Sequence, residues 1–258
     1  TSGDDRGEIP ADDGSLLCLR VLTWVKGRLL DEVEVSPEIA SQFGHRLAEL
    51  DGALETLVHE GDGQVSLWDT QRASQLRSLL VHVDDSEIRH QVEAVLDSFD
   101  ERVKPVLATL VCQAIHNDAN TENILIDSRG EVSGIIDFGD MLRAPRIIDV
   151  STAAAYLRPD GGDLLSLITP FVAAYHQRSP LSATELDVLF DLIRTRLAIT
   201  IIIFYWRLAA RDKDDPYRKK QIDSEGEAFT FLKKPFLLVN TSSKTVVSFL
   251  GPAQPLLK

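Results

Sequence analysis

One central stretch, Val111 to Asp140, constrains the fold of this chain more than any other. It holds two short β-type runs, Asn123 to Ile126 and Glu131 to Ile136, divided by Asp127-Ser128-Arg129-Gly130. That composition marks a tight hairpin turn, with Gly130 at the position suited to positive φ. Counting outward from the turn sets Ile126 opposite Glu131 and, if the register holds, Asn120 opposite Asp137. The loop from Asp118 to Asn123 is therefore expected beside Asp137, gathering two carboxylates and a carboxamide at the open end of the hairpin. Hard oxygen donors without imidazole or thiolate suit magnesium better than zinc.

The text on both sides of this hairpin is helical. Ser36 before Pro37 is a helix-start signal, and Ile39, Phe43, Leu47, Leu50, Leu54 and Leu57 follow at three-to-four spacing. A second helix begins near Ser86 and aligns Ile88, Val92, Val95, Leu96, Phe99 and Val103 before Pro105 kinks or ends it. Beyond Asp149 the pattern is helical again through Ala153 to Leu157, Leu164 to Tyr175 and Ala183 to Ala210. Ahead of all this, Leu16 to Val25 reads as a mostly buried strand stopped by Gly27, and the acidic opening Thr1 to Gly14 as a frayed end. The fold class expected is α+β, a mainly helical body around one small β-hairpin.

Composition narrows the partners. With 44% hydrophobic residues the chain can bury a core, and with 27 basic against 40 acidic residues its formal charge is -13. Such a charge repels phosphate backbones, so no nucleic acid is expected as ligand. The apolar run Leu197 to Trp206 is too short to span a bilayer and no charged-then-apolar leader opens the sequence, so no membrane association is expected. Cys18 and Cys112 lie in apolar surroundings without metal-type spacing, which argues against a disulfide scaffold or zinc module and for a cytoplasmic setting.

The pattern His116-x-Asp118-x4-Asn123-x-Leu125, followed by Asp137-Phe138-Gly139, resembles the catalytic loop and metal-binding triplet of the protein-kinase-like superfamily. Asn117 stands where protein kinases usually carry Arg, and Asp140-Met141 with Pro145 and Asp149 follows. These features are similar to the aminoglycoside phosphotransferase and choline kinase family, and most of all to its hydroxylysine-kinase-like members. The resemblance implies that Asp118 orients or deprotonates an acceptor hydroxyl while Asn123 and Asp137 hold Mg2+ against the phosphates of ATP or GTP. It implies further that His116 braces the loop, and that Asp149 caps the next helix and accepts hydrogen bonds from the loop backbone. Thr23 and Val25 match the hinge whose backbone holds the nucleotide base. Asp140 is a candidate substrate contact because it follows Asp137 so closely, whereas Asp127 is explained by the turn. Acidic residues after Asp149, among them Asp160, Asp163, Asp214 and Asp215, are numerous enough to attract a cationic acceptor. Tyr205 and Trp206 are read as core packing before a pocket for an amine.

The same resemblance implies a small lobe whose strand lysine pairs with a helix glutamate above the phosphates. Before Asp118 the chain offers only Lys26 and Lys104, neither in such a strand. Residues 1–27 are therefore expected to be a remnant of the small lobe with the hinge, and residues 28–258 the helical large lobe. A fragment of a longer protein, a lobe supplied by another polypeptide, and a noncatalytic kinase-like binding module all fit. The first is favoured, because an apolar strand without its sheet exposes an edge. The function expected is γ-phosphoryl transfer to a small, amine-bearing hydroxyl compound. Hydroxylysine, an aminoglycoside, choline or ethanolamine, and homoserine are all compatible acceptors.

Overall fold

A computed structural model of the chain describes residues 7–19, 22–61, 63–157, 159, 163 and 165–210. Arg20 and Val21 within the expected first strand, and Asp160, Asp214 and Asp215, lie outside the described residues.

The first strands differ from expectation. β1 (Gly7–Pro10) pairs antiparallel with β2 (Leu16–Leu19), so part of the opening segment is ordered rather than frayed. Residues 22–27 are not strand. Nor is the stretch mostly buried: Leu16, Leu17, Leu22 and Trp24 are all more than half exposed. A two-stranded ribbon buries a face only where another layer covers it, and among the described residues none does. Past Gly27, β3 (Arg28–Leu29) joins the central sheet at Leu125 and Ile126.

α1 (Pro37–Leu54) starts as its sequence dictates. Ser36 accepts a hydrogen bond from the Ile39 amide, and Pro37 occupies the first turn, where its missing N–H is no loss. A run of 3₁₀ turns over Thr70–His82, unanticipated from the sequence, buries Thr70, Ala73, Leu76 and Leu80. The spacing of three through Leu76 matches the three-residue period of that helix. α2 (Ser86–Ser98) is capped by Asp85 and does not stop ahead of Pro105. It widens into a π-type turn, Phe99–Val103, and continues as α3 (Lys104–Leu107). The wide turn takes up the place where Pro105 lacks an N–H to donate.

β4 (Cys112–Ile115) pairs antiparallel with β7 (Leu142–Pro145). Between them lies the expected hairpin, β5 (Ile124–Ile126) with β6 (Val132–Ile135), sheeted in the order β3-β5-β6. Its register differs from the count above. The Asp127 amide donates to the Glu131 carbonyl, leaving a three-residue loop in which Gly130 has φ +80. Ile126 thus faces Val132, and a bulge then sets Ile124 against Ile135. A three-residue loop closed by a left-handed glycine is a common alternative to the four-residue turn.

α4 (Ile147–Tyr156), α5 (Leu165–Arg178) and α6 (Ala183–Ala209) complete the described chain. α1 crosses α5 so closely that a Cβ on Gly44 would collide with the Phe171 carbonyl, and Phe43 meets Phe171 ring to ring at 5.1 Å. α6 has apolar residues on all sides and is buried along most of its length, as a central core helix must be. No helix among the described residues is long and apolar enough to cross a membrane.

Candidate active site

The site is built where β4 and β6 end. Each strand passes into a non-glycine residue in the left-handed region, Asn117 at φ 65 and Asp137 at φ 60. Asn and Asp tolerate that region better than other side chains, yet it still costs free energy that surrounding contacts must offset. The contacts are present. Buried Asp149 accepts hydrogen bonds from the His116 amide at 2.7 Å and the Asn117 amide at 2.5 Å, holding the loop from beneath. Asp149 does not cap α4; the N-terminal flanking residue is Arg146, without a side-chain cap, and Asp149 sits one turn inside.

His116 spends both ring nitrogens on the backbone. Its Nδ1 accepts from the Asp118 amide at 3.2 Å, which assigns the proton to Nε2, and Nε2 donates to the Ile136 carbonyl at 2.9 Å. The ring also lies edge-on to Phe138, 4.8 Å between centroids. One imidazole therefore ties the residue before Asp137 to the amide of Asp118. A proton carrier would need a free nitrogen.

Asp118 is clasped at both oxygens. Oδ1 accepts from Asn120 Nδ2 and Arg196 Nη2, each at 3.1 Å, and Oδ2 accepts from Asn123 Nδ2 at 2.9 Å. The same Asn123 nitrogen donates to the Asp118 carbonyl at 2.8 Å, while the Asn123 carbonyl accepts from the Ile136 amide at 2.9 Å. Asp137 thus leaves the hairpin one residue past a pair made by Asn123, rather than facing Asn120 as the register count expected. Burial pushes the Asp118 carboxyl above the usual aspartate range; Arg196 and Asn120 act against that shift, and Asp140 adds to it. Asp137 Oδ1 accepts from the Gly139 amide at 3.2 Å.

A loop between α1 and the 3₁₀ turns closes one side. Gln64 Nε2 donates to the Met141 carbonyl at 2.6 Å, and Ser66 Oγ donates to Asp140 Oδ1 at 3.2 Å. Trp68 stacks under Arg196, whose guanidinium carbon lies 4.8 Å from the indole centroid and 5.8 Å from that of Tyr156. Arg196 and this loop are what the sequence reading missed. The available signal was a charged residue in the apolar text of α6, since a buried arginine requires a partner. Aromatic faces over a cation belong to Trp68 and Tyr156; Tyr205 lies edge-on to Phe204, and burial first, then Asp85 and Asp84, raises its pKa.

The remaining expected residues are placed as follows. Val25 is partly exposed and lies against β6, its Cγ1 3.1 Å from where a Gly134 Cβ would be, and Thr23 is exposed two residues earlier. Asp127 accepts from the Arg129 and Glu131 amides, as a turn residue does. Asp163 accepts from the Leu165 amide at the start of α5. Lys26 is exposed, and Lys104 pairs with Asp100 at 3.6 Å. Among the described residues no three His, Cys, Asp or Glu side chains gather as a metal cage.

A helical body around one hairpin, with half-buried Asp118 bonded to buried Asn123, has the fold of a kinase-like protein. A family model described as APH, the phosphotransferase enzyme family, matches residues 7–185. That is well over half of the chain, which belongs to this family. Hydroxylysine kinase of Mus musculus is 29% identical over 219 residues, covering 79% of this chain and 58% of the relative. That of Bos taurus is 24% identical over 233 residues, covering 84% and 62%. The chain thus spans about three fifths of the length of these curated relatives. A solved amicoumacin kinase in complex with AMP-PNP, Ca2+ and Ami superposes with a TM-score of 0.64 at 17% identity, over 90% of this chain and 68% of that one. A GDP complex of aminoglycoside 2'-phosphotransferase-IIIa gives 0.58 at 19%, over 86% and 73%. At such identities the likeness is one of fold.

Proposed function

We propose that the chain transfers the γ-phosphoryl group of ATP or GTP to a hydroxyl of a small, amine-bearing metabolite, with hydroxylysine the first acceptor to test. One observation carries the reading: Asp118, Asn123 and the residue preceding Asp137 form a single hydrogen-bonded unit. Asp118 accepts the hydrogen bond of the acceptor hydroxyl and orients it in line with the phosphorus. As the new P–O bond forms, the bond to the bridging oxygen breaks, the nucleoside diphosphate departs with its electrons, and the hydroxyl proton passes to Asp118.

The donor set suits magnesium. With its nitrogen committed to Asp118, Asn123 offers Oδ1, and Asp137 offers the oxygen not held by Gly139. One carboxamide and one carboxylate leave room for water and phosphate oxygens, the usual company of Mg2+. When bound, the ion offsets phosphate charge; Asp118 and the braced loop supply the alignment. Backbone groups of Thr23 and Val25 hold the base along β6, residues 1–27 belong to a small lobe, and residues 28–258 form the large lobe. The hydroxylysine kinase relatives support the acceptor class.

The test is radiolabel transfer from ATP and from GTP to hydroxylysine, homoserine, choline, ethanolamine and an aminoglycoside. Transfer to one of them, abolished in Asp118→Asn and Asp137→Ala, is the expected result. Equal transfer by wild type and Asp118→Asn would refute the proposed role.

A further inference from the structure

Arg196 sits in the middle of α6, only 1% exposed, and its sequence distance from Asp118 is 78 residues. Burying a guanidinium is costly unless several acceptors meet it. Here two do: Nη2 donates to Asp118 Oδ1 and Nη1 to the Trp68 carbonyl, each at 3.1 Å. Trp68 and Tyr156 offer their ring faces to the cation, which adds stabilisation in a desolvated setting. Tyr156 is itself hydrogen-bonded to Thr200 at 3.2 Å, and the Thr200 hydroxyl donates back to the Arg196 carbonyl. The guanidinium is thus locked in orientation by α6, α4 and the Trp68 loop before it reaches the carboxylate.

Asp118 lies in a loop with little regular structure, and its other clamps, Asn120 and Asn123, belong to that same loop. The clamp from outside the loop is Arg196. Resting on the phosphotransferase reading above, we propose that Arg196 is the positioning residue of Asp118: it fixes the carboxylate against the rigid α6 scaffold so that Oδ2 stays on Asn123. The same cation links Asp118 to Asp140, because the Trp68 amide donates to Ser66 Oγ and Ser66 donates to Asp140. A lysine in this place supplies charge without the planar fork that spans Asp118 and the Trp68 carbonyl.

Three measurements on the full chain test this. In thermal unfolding of Arg196→Met, Asp118→Asn and the double variant, each single variant strands a buried partner, so the double should lose several °C less than the two losses added. In nitrogen-15 NMR of the wild type and Arg196→Met, the Asn123 carboxamide signal should move toward that of a free amide once Asp118 is released, and Arg196→Lys should restore it in part. In phosphoryl transfer, Arg196→Met should lower kcat by roughly 100-fold with KM nearly unchanged, the scale of about 1 Å of misplacement, again with partial rescue by Arg196→Lys. Additive unfolding losses, or an unmoved Asn123 signal, overturn the positioning role whether or not any acceptor is phosphorylated. An unchanged kcat overturns it too. Failure of the wild type to phosphorylate any acceptor strikes the proposed function instead, and the first two measurements still decide the role of Arg196.

Discussion

At the scale of single residues, buried carboxyl groups do two opposite jobs in this protein. Asp149 receives two backbone N–H donors from the loop before Asp118, which act against the burial that raises its pKa. Asp51, on α1, is equally buried and takes the Tyr175 hydroxyl on Oδ2 at 2.5 Å, and among the described residues no donor reaches its Oδ1. Burial, and after it the neighbouring Asp149, pushes the Asp51 carboxyl well above its ordinary 3.8, which favours a proton on Asp51 in the folded state. The linkage sign follows. The folded state binds a proton that the unfolded state releases above about pH 4, so stability declines as pH rises from there through the folded pKa, by at most about 1.4 kcal/mol per pH unit. Asp51→Asn supplies an N–H in place of that proton. It should raise Tm near pH 7 and lose its advantage as pH falls toward 4, read by unfolding at several pH values. A deficit at pH 7 no smaller than that at pH 4 would contradict the raised pKa of Asp51.

Secondary-structure elements are held together by close approach as much as by apolar area. At the α1–α5 crossing, Gly44 lets the two backbones meet where a methyl group would strike the Phe171 carbonyl. Helices this close leave no flexible side chain to yield, so Gly44→Ala should separate them. Overpacking of this kind costs about 1–3 kcal/mol, a Tm loss of several °C for a chain of this size. The gain in helix propensity from glycine to alanine, up to about 1 kcal/mol, works the other way, so a Tm equal to or above wild type would show that the crossing relaxes. The hairpin carries a related lesson. Its existence and its glycine were legible from Asp127 to Gly130, but its register was not, since a three-residue loop and a bulge differ from a four-residue turn by backbone geometry alone. The π-type turn before Pro105 was hidden for the same reason.

On the scale of the whole molecule, the proposed function makes divalent cation and nucleotide a linked pair of ligands, and the net charge of -13 favours the cation. Magnesium with ATP or GTP at about 100 times Kd should stabilise the chain by about 2.7 kcal/mol, a rise of roughly 5–10 °C in Tm. Asp137→Ala should abolish most of that rise, read as the difference between liganded and unliganded Tm within each protein, because alanine in the left-handed region lowers the unliganded Tm as well. An equal rise in wild type and variant would remove Asp137 from the nucleotide site. The exposed apolar residues of β2 and of residues 22–27 bear on the same scale, for the β1–β2 ribbon lies uncovered among the described residues.

What the sequence determined by itself was local: residue types at fixed short spacing, helix starts at Ser36 and near Ser86, and the placing of Asp118 and Asn123 in one loop, five positions apart. Those follow from backbone periodicity and from side chains that reach only their near neighbours. The tertiary structure alone decided that Arg196 meets Asp118, that Ser66 holds Asp140, and that Asp51 is buried beside Asp149. Each joins chain segments dozens of residues apart, and only the packing of α1, α4 and α6 around the hairpin sets which buried charges find one another.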